Sequence, residues 1–174
     1  KGVSAFPPEV TSQMVENFRR GGAAINQLCN LANIKLSVTP IDLETPTRDF
    51  SECKAMDKTE VISAMELGFR SVPSQCDLLI LGEMGISNTT SATAISCTVF
   101  KERVEVMTGV GTGLNKKQLT KKIEVIKSAL KLHDKTSMDT ISILCSYGGR
   151  EISAIVGSII SARLKSIPVI LAFS

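Results

Sequence analysis

From Asp77 the chain runs Leu78-Leu79-Ile80-Leu81 and passes directly into Gly82-Glu83-Met84-Gly85-Ile86-Ser87-Asn88-Thr89-Thr90. A short continuous apolar run of this kind predicts a strand buried on both faces of a parallel sheet. The glycines predict a tight turn, and the Ser/Ala/Thr-rich residues that follow have helical character to about Phe100. Strand, turn and helix in that order restrict the chain to folds in which helices cover a parallel sheet.

The rest of the sequence repeats the alternation. Residues 8–31 read as one helix with Val10, Met14 and Phe18 on a face, and Gly21-Gly22-Ala23-Ala24 would let another backbone approach. Ile34 to Leu43 is strand-like, and a loop with Pro40 and Pro46 follows to about Asp57. Thr59 to Val72 is helical and ends at Pro73. Val104 to Met107 reads as a strand leading into Gly109-Val110-Gly111-Thr112-Gly113-Leu114, and a lysine-rich helix comes next. Ile141 to Tyr147 is ambiguous, Glu151 to Leu164 is a helix, and Ile167 to Phe173 is a buried strand. The expectation is a single α/β domain over residues 1–174, Rossmann-like, with a mostly parallel sheet.

Composition excludes several classes. The apolar fraction of 43% against 21% charged residues is incompatible with disorder. The tail from Ile152 is broken by Arg163, Lys165 and Pro168, short of the roughly 20 apolar residues of a membrane span. Cys29, Cys53, Cys76, Cys97 and Cys145 form no CxxC pair and read as buried free thiols of a reducing, cytoplasmic compartment. The cysteines lack the short local spacings of a zinc site and His133 is the only histidine, so neither a zinc site nor a histidine-based nucleophilic apparatus is expected. In a chain with that thiol pattern, the glycosylation triplet Asn88-Thr89-Thr90 is accidental.

The net charge of +3 is local in origin. Seven lysines between Lys116 and Lys135 face only Glu124 and Asp134, a surplus of +5. Leu119, Ile123, Ile126 and Leu130 make one apolar stripe on the same helix, so most of the lysines read as its solvated outer face. Nucleic-acid binding through that helix is the least favoured reading, and the lack of Trp argues against a stacking platform.

Ligands of open α/β sheets bind beyond the carboxyl ends of the strands, where both glycine turns fall. The first precedes a helix N-terminus and is either an anion site or a purely structural turn. The second is Gly-x-Gly-x-Gly, and no Gly-x-x-x-x-Gly-Lys-Ser/Thr occurs, so a P-loop is excluded. Lys121 or Lys122, folding back from the following helix, could neutralise a phosphate held by both turns. Glu83 would repel a phosphate at contact range. It either faces a cationic part of a ligand or caps nearby backbone.

GVSAFPPEVTSQM (2–14), GGAAIN (21–26), RDF (48–50), GEMGISNTT (82–90), GVGTGLN (109–115) and GGREISAIVGSI (148–159) occur in order. Together they resemble the nicotinate-nucleotide–dimethylbenzimidazole phosphoribosyltransferases of cobalamin biosynthesis over nearly the whole chain. The resemblance implies a three-layer α/β fold, a cytoplasmic homodimer and no metal or other cofactor. It implies transfer of ribose phosphate from nicotinate mononucleotide to 5,6-dimethylbenzimidazole, giving α-ribazole phosphate and nicotinate. Glu83 would then stabilise the cationic donor and transition state. Gly85, Ser87, Asn88, Thr89 and Thr90 would hold the nucleotide, and Gly109, Gly111 and Lys122 would receive its phosphate. Ser4, Phe6, Gln13 and Met84 would line the benzimidazole pocket, although Phe6 and Met84 suit a core role equally well.

The sequence also departs from the family's pattern. The family's catalytic base is a glutamate in a later glycine-rich segment not found within these residues, and Glu151, on the helix after Gly148-Gly149, is not assigned that role. Leu171-Ala172-Phe173 stands where Asp-Gly-Phe is usual, and Pro8 where Gln is frequent. Lys1 and Ser174 read as cut ends, so the expectation is the central part of a longer enzyme. The alternative is a non-catalytic nucleotide-binding or scaffold remnant of the family.

Overall fold

The computed structural model describes residues 3–111, 113–133 and 138–172. Helices α1 (Val10–Arg19) and α2 (Ala24–Leu31) are followed by a long irregular segment and α3 (Lys58–Ser71). Strand β1 (Leu79–Gly82) leads to α4 (Asn88–Phe100), the single turn α5 (Val104–Met107), α6 (Lys116–Leu132) and α7 (Thr140–Tyr147). Helix α8 (Arg150–Leu164) and strand β2 (Val169–Ala172) complete the described order. The strands pair in parallel, Leu79 opposite Val169 and Gly82 opposite Ala172. This is an α/β arrangement, mainly helical around a small parallel sheet.

Three secondary-structure expectations change, and one ambiguous segment resolves. The helix over residues 8–31 is two helices, because Gly21 adopts φ +75° and turns the chain. The Gly22 amide bonds back to Asn17 O at 2.9 Å, and Asn26 donates to Phe18 O while accepting from the Ala23 amide. The glycines therefore make a corner rather than a close helix contact. Ile34 to Leu43 pairs with no strand among the described residues; Asn33 and Asp42 have positive φ, and Pro40 lacks a donor. Val104–Met107 is a helical turn, closed by the Thr108 amide and hydroxyl on Val104 O. Ile141 to Tyr147 resolves as helix, with the Asp139 carboxylate capping Ser142 N.

Against the expectation of buried strands, β1 and β2 are covered on one face only among the described residues. Leu79 and Val169 pack against Val72, Ala162 and Ile167, while the paired Ile80 and Ile170 are about half exposed at 46% and 50%. The part of the strand expectation reaching Phe173 lies outside the described residues, as do Thr112 of the second turn and Lys135 of the lysine-rich stretch. Among the cysteines, all free, Cys53 is exposed and Cys76 half-buried, whereas Cys29, Cys97 and Cys145 are buried.

The capping boxes Asp57/Glu60 and Asn115/Gln118 start α3 and α6 by satisfying amides that a helix leaves free. On α6, Ile126, Ala129 and Leu130 enter a core with Ala94, Cys97, Val104 and Tyr147. His133, at the end of α6, is buried, pairs with Phe50 O at 2.9 Å and sits edge-on to Tyr147. The Arg48-Asp49-Phe50 segment is thereby tied into the core, since Phe50 also packs edge-on against Tyr147.

The tightest packing is between α3 and α8. A Cβ on Gly68 would lie 1.9 Å from Ala154 O, and one on Gly157 would lie 1.9 Å from Met65 O. Ser158 Oγ fills the remaining gap by donating to Gly68 O at 2.9 Å. Gly157→Ala would recover about 1 kcal/mol of helix propensity, but its methyl would overlap a backbone oxygen that cannot rotate away. Such overpacking typically costs about 1–3 kcal/mol or more. Urea unfolding is expected to show Gly157→Ala and Gly68→Ala destabilised, and Gly109→Ala, whose Cβ would meet nothing within 4 Å, close to the parent.

Candidate functional site

The carboxyl end of β1 delivers Gly82 and Glu83 to the start of α4. Ser87 precedes that helix with φ +70°, a left-handed conformation unusual for serine, and makes no side-chain cap. The first-turn side chains point to other partners instead. Asn88 donates from Nδ2 to Glu83 Oε2, and Thr89 Oγ1 accepts from Lys122 Nζ at 2.9 Å. Thr90 is buried, and its hydroxyl has no partner among the described residues.

Lys122 lies on α6 but joins both glycine turns, because its ammonium also donates to Gly109 O at 3.3 Å. Gly111, at φ +57°, closes the same corner: a Cβ there would come 3.2 Å from Thr89 Oγ1 and 3.8 Å from Lys122 Nζ. Lys122 is 1% exposed, and burial holds its ammonium below the usual lysine range. No carboxylate forms an ion pair with it among the described residues. The surrounding Lys116, Lys117, Lys121, Lys127 and Lys131 are exposed, and Lys127 pairs with Glu105 at 2.5 Å. One lysine of the basic helix therefore differs in kind from the others.

The other flank of the first turn is acidic. Glu83 is held above the ordinary carboxylate range by burial; the Asn88 hydrogen bond pulls it back, and the charge of Glu151 adds to the rise. Glu151, in the first turn of α8, lies against the glycine turn although it is far from it in sequence. Its Oε1 would be 3.6 Å from a Cβ on Gly85. A Cβ on Gly149 would lie 2.2 Å from the same oxygen and would displace the carboxyl from this position. Burial raises the Glu151 carboxyl as well, opposed by a backbone hydrogen bond and by the charge of Arg150. Arg150 is itself fixed, with Glu60 Oε1 at 2.8 Å from Nη2 and Asp42 Oδ2 at 3.2 Å from Nε. Glu60 also binds Arg48 at 2.8 Å, so the irregular segment braces the start of α8.

The structure thus brings together Glu83, Gly85 and Asn88 at one end of the turn, and Thr89, Gly109, Gly111 and Lys122 at the other. It does not join the amino-terminal segment to them. Ser4 accepts from the Phe6 amide at 3.2 Å, Phe6 is 49% exposed, and Gln13 is exposed. No hydrogen bond among the described residues links that segment to half-buried Met84 or to the turn. Glu151 is the side chain that sequence reasoning sets aside; its only local signal is the Gly148-Gly149 pair preceding a helix. Among the described residues no group of three or more His, Cys, Asp or Glu side chains could hold a metal ion. No described helix is long and apolar enough to cross a membrane.

A parallel β pair, a glycine turn after its strand and a buried cation reaching that turn from α6 define an α/β protein whose candidate site lies at the sheet's carboxyl end. Comparison with known proteins narrows the class. A family model described as "Phosphoribosyltransferase" matches residues 1–172. The nicotinate-nucleotide–dimethylbenzimidazole phosphoribosyltransferase of Jannaschia sp. strain CCS1 is 47% identical over 171 residues, 98% of this chain and 51% of the relative. The enzyme of the same name from Cereibacter sphaeroides strain ATCC 17025 is 46% identical over the same span. The crystal structure of CobT from Thermus thermophilus matches with a TM-score of 0.83 and 30% identity, covering 98% of this chain and 57% of that one. The chain belongs to the nicotinate-nucleotide–dimethylbenzimidazole phosphoribosyltransferase family. It spans about half the length of the curated relatives it matches.

The raised carboxyls predict a stability profile. Glu83 and Glu151 bind protons more tightly folded than unfolded, so their contribution is complete below the ordinary carboxylate range and is lost as pH rises through the raised values. Melting temperatures between about pH 4 and pH 8 are expected to fall less steeply in Glu151→Gln than in the parent.

Proposed function

We propose that this chain binds nicotinate mononucleotide for transfer of its ribose phosphate to 5,6-dimethylbenzimidazole, with α-ribazole phosphate and nicotinate as products. The observation that supports this reading best is Lys122, a buried ammonium whose partners are a hydroxyl and a carbonyl rather than a carboxylate. An uncompensated buried cation is costly, and an arriving phosphate would supply the missing charge. The donor carries charges of both signs: a phosphate at one end and, at the other, a pyridinium ring that bears a carboxylate and whose positive nitrogen is bonded to the anomeric carbon. A site with Lys122 at one end and Glu83 at the other has the matching polarity.

In this reading Gly109, Gly111, Thr89 and Lys122 hold the phosphate, while Gly85 and Ser87 to Thr90 bound the ribose. Glu83 faces the ring and the anomeric carbon. A benzimidazole nitrogen forms the new bond to that carbon as the bond to the pyridinium nitrogen breaks, so nicotinate departs with the electron pair and the centre inverts. Positive charge on the sugar grows in the transition state, and a carboxylate aimed at it lowers the barrier electrostatically. Ser4, Phe6, Gln13 and Met84 contribute to the acceptor pocket. No residue of this chain is assigned as acceptor of the benzimidazole N–H proton. The same reading makes residues 1–174 one domain, the β1–β2 pair part of a larger three-layer parallel sheet, and the protein a cytoplasmic homodimer.

Lys122→Met keeps most of the side-chain volume and removes the charge. Replacing a buried ion by an apolar group of similar size is commonly neutral or stabilising, so the unfolding midpoint should not fall. A charge-assisted hydrogen bond contributes about 1.5–3 kcal/mol, and affinity for nicotinate mononucleotide by calorimetry should drop roughly 10- to 100-fold. Unchanged affinity would refute the assignment.

A further inference from the structure

We propose that Glu151 is a positioning residue of the donor pocket: seated against Gly85 beside Glu83, it makes the two carboxyls one unit that admits a cationic ring by giving up a proton to solvent. The proposal rests on the donor-binding reading above and adds a residue and a coupling to it. Three features of the structure carry it.

The first is placement. Glu151 Oε1 lies 3.6 Å from where a Cβ on Gly85 would sit, on the turn that bears Glu83, and Gly149 leaves it the room to do so. Substituting either glycine would drive a side chain into or against that carboxyl. The second is fixation. Glu151 starts α8, and α8 is anchored to α3 by the backbone contacts of Gly68 and Gly157. Its neighbour Arg150 is clamped by Glu60 and Asp42. The Glu151 backbone therefore cannot drift from the turn without breaking helix packing and an ion-pair network.

The third is electrostatics. The charged groups acting on the pair are few. Glu83 feels Glu151 from α8 and the Asn88 amide from α4; Glu151 feels Arg150, whose charge is shared with Glu60 on α3 and with Asp42. Lys122 makes no contact with either carboxyl, being bound to Thr89 and Gly109 at the other flank. Burial disfavours ionisation of both carboxyls, and each unit of charge on Glu151 opposes charge on Glu83. Both effects favour the protonated over the ionised pair. A pyridinium ring beside it reverses the balance: one carboxyl O–H ionises, the proton passes to solvent, and the resulting carboxylate faces the ring. Burial sets most of the rise on Glu83, and the charge of Glu151 adds to it.

The test is calorimetric titration of the protein between about pH 5 and pH 6, just above the ordinary carboxylate range, in two buffers of different ionisation enthalpy. Nicotinate mononucleotide is compared with ribose 5-phosphate, which has the phosphate but no cationic ring. The nucleotide should release more protons per molecule bound than ribose 5-phosphate, and the excess should fall by at least half in both Glu151→Gln and Glu83→Gln. Glu151→Asp should restore part of it, which a merely structural role would not require. Equal excess release in the parent and in Glu151→Gln would overturn the proposal while leaving donor binding intact. Failure of the parent to bind the nucleotide would instead overturn the donor-binding reading, and the proposal with it. Carboxyl ¹³C titration of the unsubstituted protein gives a second measurement that needs no variant. The Glu83 resonance should inflect twice, once at the pH where Glu151 titrates, and a single independent inflection would overturn the coupling.

Discussion

The backbone-to-backbone approach of α3 and α8 is the constraint on which the remaining geometry depends. Gly68 and Gly157 each sit where a methyl group would overlap a carbonyl of the opposing helix. Helix axes can come this close only where side chains are absent, and the small residues Ser153, Ala154, Ser158, Ser161 and Ala162 continue the seam on α8. Each helix is followed by a strand, so fixing the helix pair also fixes the strands. The register that sets Gly82 opposite Ala172 places Glu83 at the strand's carboxyl end. The same helix pair sets the start of α8, and with it the position of Glu151. A helix contact that involves neither carboxyl thus fixes the position of both.

The turn between β1 and α4 separates charges of opposite sign over a short stretch of chain. Helix N-termini ordinarily cap themselves with Ser, Thr, Asp or Asn side chains. Here Ser87 makes no cap, the Asn88 amide goes to Glu83, and the Thr89 hydroxyl goes to Lys122. Side chains able to stabilise the helix instead hold an acid and a base apart. Local stability is sacrificed in the same place twice more, through the left-handed Ser87 and the buried ammonium without a counter-charge. Departures from the rules of stable folding therefore cluster at this turn.

What can be read from the sequence follows the range of the interactions. The β1 run, its glycine turn and the apolar stripe of α6 are local patterns of period and composition, and each is found where the spacing puts it. The break at Gly21 is hidden because a glycine pair signals either a close approach or a turn, and only the Asn26 hydrogen bonds across the corner choose between them. Ile34 to Leu43 has the apolar alternation of a strand but no partner among the described residues, and alternation alone does not make a ladder. Val104–Met107 is too short for periodicity to separate strand from helix; Thr108 decides it by bonding back to Val104.

The same distinction of range explains why Lys122 is legible and Glu151 is not. Lys122 follows a glycine turn on the next helix, so its return to that turn needs only local helix geometry and a long side chain. The family resemblance selects it over Lys121, and the structure adds the reason: the face that buries Ile126 and Ala129 also turns Lys122 inward and leaves Lys121 outside. Glu151 reaches Gly85 because two helices without a sequence relationship pack through glycine, and because Gly149 has no side chain. Within the motif Gly148-Gly149-Arg150-Glu151, then, the residues have separable tasks. Gly149 makes space, Arg150 locks onto Glu60, and Glu151 turns back toward the strand end. A short motif that reads as the beginning of a helix is, in three dimensions, the wall opposite the first glycine turn.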